Sequence, residues 1–376
     1  MKTSGAMRTI LGITMVIVVG LCAATAVGCG DKASTQDSGD TSAEPGQVSG
    51  SLRLFAYEDG FAPKYLKPFR QQNPDLDLQA AAFDSGDAAI AKMRAGFDAD
   101  VLNMCVEENA ERLVQLGLVQ PIDTSRIKYW DNIFPAFKDL PGVTMPDGKH
   151  YMVPVDAGTT GLVYNSDKIS PAPTKFADIF DPKYAGRAAM IDYPVTAIQV
   201  GALALGYEDP TNLTDEQLEN IKNLYIDAKK RGQFRTFWQS WSDIANLLKT
   251  GEVEISMGYP GNSLEIQREG YPIEYKLAEE GQLLWTCGYG ITKTCKNLDA
   301  AYALINYYLS PEAEAFEAKT WNYMVTNEEA LKVVDPKVRE EARLDMAYDL
   351  GNARPAAPPA QSYEKWVRIW QEIKAY

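Results

Sequence analysis

The chain contains one histidine, His150, in 376 residues. So little imidazole leaves almost no room for a multi-histidine metal site, and no metal or cofactor is expected. Five cysteines are present, none in a C-x-x-C arrangement, so a thioredoxin-type activity has no support. A G-x-S-x-G nucleophile elbow is missing, as are H-E-x-x-H and the P-loop. Gly288-x-Gly290 lacks the third glycine of a dinucleotide fingerprint. Scattered carboxylates alone do not define a glycosidase pair. Positive charge is also short: 37 basic residues face 51 acidic ones, for a net charge of -14. A surface that acidic argues against a nucleic-acid partner and is compatible with cationic ligands. What these absences leave is noncovalent binding, and no enzymatic activity is expected.

The hydrophobic fraction of 45% is that of an ordinary globular chain, and the length suggests about two domains. Lys2 and Arg8 precede an uncharged apolar run, Ile10 to Val27. That pattern reads as an export signal, residues 1–28, in preference to a retained spanning helix. Ala26-Val27-Gly28-Cys29 resembles the lipobox of bacterial lipoproteins, with alanine at the usual leucine position, so Cys29 is the expected acylation site. Residues 29–50, rich in Gly, Ser, Thr, Asp and Glu, form a flexible tether. The expected location is therefore extracytoplasmic, lipid-anchored to the cell membrane. Cys287 and Cys295 are able to pair as a disulfide in such a compartment or to stand as buried thiols; Cys105 sits in an apolar context.

The body alternates strands and helices. Strands are predicted at Leu52–Tyr57, Leu76–Phe83 and Asp100–Met104, and helices at Lys64–Gln72 (kinked at Pro68), Asp84–Ala95 and Glu108–Leu116, the last stopped by Gly117. This is the rhythm of βαβ units and a largely parallel sheet. Further on, strands at 151–155 and 161–164 are expected to flank a bend of small residues, Ala157 to Thr160. Thr214-x-x-Gln217 is a capping box opening a helix. Ser242 is a candidate cap for a helix stopped by Gly251, and Val253, Ile255 and Met257 alternate as a strand. Leu298 to Leu309 carries a helical stripe. Ser310-Pro311 and Asp335-Pro336 open helices with proline at the first position. A Pro/Ala stretch from Arg354 to Ala360 precedes a last helix, Tyr363 to Ala375.

The order of segments carries a family resemblance. Leu54-Phe55-Ala56-Tyr57-Glu58-Asp59, Asp100-Val101-Leu102 leading to Gly117-Leu118-Val119-Gln120-Pro121-Ile122-Asp123, and Asp147-Gly148-Lys149-His150-Tyr151-Met152-Val153-Pro154 followed by Gly158 to Asn165 occur collinearly. Lys183 to Arg187, Gly251-Glu252-Val253 and Trp370 to Lys374 follow. The set resembles the extracytoplasmic solute-binding proteins of ABC importers, specifically the spermidine/putrescine-binding group. The resemblance implies an α/β, two-lobe periplasmic-binding-protein-like fold of type II with the ligand in a cleft between lobes. Residues 51–155 plus 288–345 are expected in the first lobe, and 156–287 plus 346–376 in the second. Crossovers are expected near Val155 to Thr160 and near Trp285 to Gly288. The implied partners are a small cationic solute, expected to be a polyamine (putrescine or spermidine), an ABC permease, and the membrane through the anchor; a monomer is expected.

A polyamine site needs carboxylates for the ammonium groups and aromatic faces for the methylenes. By position Tyr57, Asp59, Tyr259 and Trp285 resemble members of that site, with Asp192 as a partner from the second lobe. Two acidic positions of the group are occupied here by Thr196 and Cys287, for which Asp192, Glu107, Glu108 or Asp156 are the candidate replacements. The alternatives are the same fold holding an amino compound, a sugar, an anion or ferric iron, an anchored glycosidase, or a sensory protein docking to a receptor.

Overall fold

The computed structural model describes residues 47–83, 85–341, 344, 353–355 and 362–376. The expected signal, Cys29, most of the tether and much of the Pro/Ala stretch lie outside the described residues.

Strand β1 (Gly50–Ala56) pairs in parallel with β2 (Leu76–Ala82) and β3 (Val101–Cys105). Helices α1 (Pro63–Gln72) and α2 (Gly86–Arg94) make the crossovers, and α3 (Val106–Gln115) follows β3 directly. Pro68 lies inside α1 without ending it. The Ser85 hydroxyl caps α2 by accepting the Ala88 N–H. Helix α3 starts two residues earlier than periodicity suggests, which puts Glu107 and Glu108 in its first turn; Gly117 then turns the chain with φ 64°. A one-turn α4 (Pro135–Lys138) precedes the long β4 (Val153–Asn165).

β4 is one continuous strand, not two strands around a bend. The small residues from Ala157 to Thr160 serve the pairing itself. They lie opposite Thr286, Trp285, Leu284 and Leu283 of β9 (Gln282–Ile291) in an antiparallel ladder. Gly158 faces Trp285, and a Cβ there would sit 2.2 Å from the indole ring. A local reading of composition sees only a breaker, whereas the partner strand supplies the reason for the glycine.

Beyond Thr160 the same strand changes neighbours. Gly161 to Tyr164 pair with β7 (Ile255–Gly258), and Leu162 to Asn165 with β8 (Ile273–Lys276). β5 (Ala188–Ile191) runs parallel to both β7 and β6 (Phe234–Trp238). The strand order is β2-β1-β3-β9-β4-β7-β5-β6. Helix α5 (Pro194–Ala204) follows β5, and α6 (Asp215–Lys230) opens on the Thr214/Gln217 capping box. Helix α7 (Trp241–Thr250) is capped by Ser240, not Ser242, and stops at Gly251 in the left-handed region. Then come α8 (Pro260–Arg268), α9 (Leu298–Tyr308), α10 (Pro311–Trp321), β10 (Met324–Val325), α11 (Pro336–Glu341), β11 (Ala353–Pro355) and the final α12 (Tyr363–Ala375).

Two hydrophobic cores result. One gathers buried side chains from Leu52 to Ala157 and from Leu284 to Leu344. The other gathers Leu162 to Leu283 and Tyr363 to Ile373. The chain passes between them along β4 and β9, so the fold is the two-lobe, type II binding-protein fold. Both sides of the division carry contacts between lobes. Glu108 accepts the Tyr193 hydroxyl, Asp87 accepts the Tyr363 hydroxyl, and Arg268 donates to the Lys319 and Thr320 carbonyls. These contacts join the two lobes across the division.

Where β4 passes to the second core, a Cβ on Gly161 would stand 2.5 Å from the Lys276 carbonyl oxygen, a backbone atom with little freedom to yield. Gly161→Ala is expected to destabilise the protein by about 1–3 kcal/mol, the usual cost of overpacking. A urea midpoint unchanged from the parent would contradict this placement.

Candidate ligand cleft

The division between lobes is lined by aromatic rings delivered from strand ends and turns. Tyr57 follows β1 and leans on Phe83 at a centroid distance of 4.6 Å. Asp59 opens the next short turn, Asp59–Phe61; its carboxylate accepts the Gly60 N–H at 3.0 Å and the Tyr323 hydroxyl at 2.8 Å. Tyr323 stands edge-on to Trp285 at 5.1 Å, and Trp285 edge-on to Tyr259 at 6.1 Å. Tyr259 in turn stacks on Trp241 at 6.3 Å. One connected path thus runs from Asp59 in the first lobe through Tyr323 and Trp285 to Tyr259 in the second. Tyr57 joins it from the side: its hydroxyl lies 3.9 Å from the Cys105 sulfur, which itself lies 3.3 Å from that of Cys287.

The acids between these rings are the unusual feature. Glu107 accepts the Thr286 N–H through Oε2 at 3.1 Å, while its Oε1 is buried with no hydrogen-bond partner among the described residues. Burial lifts the Glu107 carboxyl to about 7 against the opposing pull of its own backbone and Thr286. Burial likewise lifts Glu108 to about 8, opposed by the Tyr193 hydroxyl and the Arg112 charge and helped by Glu107 and Asp87. Asp156 is 6% exposed and is held well above the usual carboxylate range by burial, then by Asp59 and Glu107. Asp59 is raised by burial too, although Tyr323 and the backbone pull it down. Among the described residues, the groups acting on Glu107 and Asp156 include no lysine or arginine. Buried carboxylates without a cation are destabilising, and a cationic guest removes that cost.

The structure brings together four of the residues read from the sequence, Tyr57, Asp59, Tyr259 and Trp285. Asp192 goes elsewhere. Its carboxylate accepts Trp370 Nε1 at 2.8 Å, Lys374 Nζ at 3.0 Å and Gln239 Nε2 at 2.8 Å, which fastens α12 to the second lobe. Burial alone would raise it, but these donors outweigh that and hold it below the usual range. Thr196 is buried in the first turn of α5. Cys287 faces Cys105 on one side and Asp156 on the other, so an acid stands one ladder rung from the position where the resemblance expects one. Cys287 and Cys295 are free thiols and do not pair with each other.

Sequence reasoning missed Tyr323. The one usable signal is Asn322, whose left-handed backbone, φ 60°, ends α10 and starts the turn that carries Tyr323. Away from the rings, an open recess of about 750 Å³ is lined by Arg53, Asp98 and Asp100 among others. There the Arg53 guanidinium is already bound to both aspartates.

Residues 64–344 match the family of bacterial extracellular solute-binding proteins. The chain belongs to that family. The resemblance read from segment order is borne out at this level, and the protein is a substrate-binding component, not an enzyme. It is 26% identical over 297 residues to the spermidine/putrescine-binding periplasmic protein of Salmonella typhimurium, covering 78% of this chain and 82% of the relative. It is 26% identical over 343 residues to the putrescine/agmatine-binding protein of Pseudomonas aeruginosa, covering 86% and 92%. Among solved structures, a putative spermidine/putrescine ABC transporter protein from Listeria monocytogenes superposes with a TM-score of 0.76 at 22% identity, over 87% of this chain and 100% of that one.

With Asp192 committed to α12, Asp192→Ala is expected to lower stability while leaving solute affinity within about twofold. Removing one member of a partly buried hydrogen-bonded charge cluster typically costs about 1–3 kcal/mol. The loss should be present at neutral pH and fade as pH falls through the depressed carboxyl value, because the parent then loses the same charge. A variant of parental stability with abolished binding would return Asp192 to the ligand site.

Proposed function

We propose that this protein is the lipid-anchored substrate-binding component of an ABC importer, and that its lobes close on a small cationic solute of the polyamine class. The observation that carries the reading is the pair of buried carboxylates Glu107 and Asp156, on which no lysine or arginine acts among the described residues, with Asp59 and Glu108 beside them and Tyr57, Tyr259, Trp285 and Tyr323 around them. An ammonium group satisfies the acids, and the rings take the methylenes by apolar contact and cation–π attraction. The names of the relatives in Salmonella and Pseudomonas support the same solute class. Differential affinity for the closed form would shift an open population toward closure, presenting the closed lobes to a permease. Trp285 Nε1 is a buried donor without a partner among the described residues. That observation favours, as a second reading, an amino compound that also carries a hydrogen-bond acceptor.

Titration calorimetry with putrescine and spermidine tests the site. Binding a cation returns the raised carboxyls toward their ordinary values, so protons should be released and affinity should rise with pH. If one carboxyl near 7 must ionise, affinity should increase about tenfold between pH 6 and pH 8. Asp59→Ala should weaken binding by about a hundredfold or more, in line with about 3–5 kcal/mol for breaking a buried charge pair. Trp285→Ala should weaken it less and keep the pH dependence. Binding of neither amine by the parent would move the solute to the second reading, and unaltered affinity in Asp59→Ala would remove Asp59 from the site.

The anchor is a separate part of the proposal and rests on the leader and Ala26-Val27-Gly28-Cys29. Cys29→Ala should release the mature protein from membranes or leave it unprocessed and without acyl chains. Unchanged acylation and membrane retention of that variant would sink it.

A further inference from the structure

Cys105 ends β3 and Cys287 lies in β9, and the two are direct partners in the antiparallel β3–β9 ladder. Residues opposite one another in such a ladder have Cα atoms about 4.5–5.5 Å apart, inside the span of about 4.4–6.8 Å that a disulfide bridges. Their sulfurs are already 3.3 Å apart. An approach of a little over 1 Å brings them to the S–S bond length of about 2.05 Å. Cys295 is set apart from this pair: its backbone N–H donates to Thr292, and the side chains acting on its thiol are Asp100 and Arg53. The location is extracytoplasmic, where disulfides form and persist.

We propose that Cys105 and Cys287 are a redox-active pair that closes to a disulfide across the wall of the ligand cleft. The reaction is exchange with a disulfide oxidant, either a small molecule or a protein. Cys105, half-buried and the more accessible of the two, attacks one sulfur of the oxidant and expels the first thiol. Cys287, 8% exposed, then attacks the Cys105 sulfur and expels the second. Two S–H bonds and the oxidant's S–S bond break. One S–S bond forms in the protein, and both hydrogens and both electrons leave on the oxidant's two thiols. A reducing dithiol reverses the sequence. Because the Cys105 sulfur also touches the Tyr57 hydroxyl, closure of the bond draws it away from a ring of the cleft and ties the redox state to the shape of the site. The inference rests on strand register and sulfur geometry and does not depend on which solute is bound.

The test uses the folded full-length chain, incubated with oxidised glutathione, blocked with an alkylating agent, and digested without reduction for mass spectrometry. A Cys105–Cys287 linked peptide, lighter by two hydrogens than its parts and lost on treatment with dithiothreitol, is expected, with Cys295 alkylated. Cys295→Ala should retain the link. Cys287→Ser should abolish it and leave Cys105 alkylated or carrying glutathione. Alkylation of both Cys105 and Cys287 in the oxidised parent, a link from either to Cys295, or a Cys105–Cys287 link that forms only after unfolding in urea would each overturn the proposal.

Discussion

β4 and β9 pair from Val153 to Thr160 of β4, and the strands of both lobes extend outward from that ladder. Its first-lobe end is continued by β3, and its second-lobe end by β7 and β8, so each lobe extends one edge of the same two strands. The register places Trp285 over Gly158 at the point where one core gives way to the other. A side chain at Gly158 would push the ring aside, and the ring is the link between Tyr323 on one lobe and Tyr259 on the other. Backbone pairing, which is indifferent to solute, therefore sets the geometry that a solute meets.

The electrostatics of the cleft oppose the fold's own stability. Glu107, Glu108, Asp59 and Asp156 have carboxyl values raised in the folded state, so the folded protein binds more protons than the unfolded one above the ordinary carboxylate range. Stability without solute consequently falls as pH rises through that interval. Buried acids of the scaffold are raised in the same direction, Glu314 among them, because burial outweighs its hydrogen bonds. Glu314 is also buried, but it accepts the Thr326 and Asn327 N–H groups and the Thr326 hydroxyl, which fastens β10 to α10. Hydrogen bonds thus give Glu314 a structural task, whereas Glu107 keeps one buried carboxylate oxygen without a partner among the described residues.

Features governed by neighbours in sequence were legible from sequence alone. The Thr214/Gln217 box, the left-handed stop at Gly251 and the Ser310-Pro311 start are decided within one helical turn, and each occurs where the residues indicate. The βαβ rhythm of the first lobe is local in the same sense. β4 is the instructive failure: the small residues from Ala157 to Thr160 look like a bend until β9 is set against them. The cleft shows the same division. Tyr57 and Asp59 sit at a strand end where a side chain naturally reaches a crevice, whereas Tyr323 comes into view only through partners that the fold supplies, Asp59 264 residues away and Trp285 of β9. Asp192 occupies a comparable strand-end position, yet a tryptophan and a lysine from the last helix claim it, and nothing near residue 192 announces them. The Cys105–Cys287 contact, across 182 residues, is likewise a product of register.

The last helix has a double attachment. Asp192 fastens its far end, at Trp370 and Lys374, to the second lobe, while Tyr363 at its start donates to Asp87 of α2 and takes the Arg112 guanidinium over its ring at 4.3 Å. Only the second of these attachments would have to part for the lobes to separate, as the proposed function requires. The carboxy-terminal segment is thus a built-in displacement gauge: rigid with one lobe, in touch with the other, and reaching the surface at Tyr376. A reporter dye joined beside Tyr363 would register the opening stroke without entering the cleft.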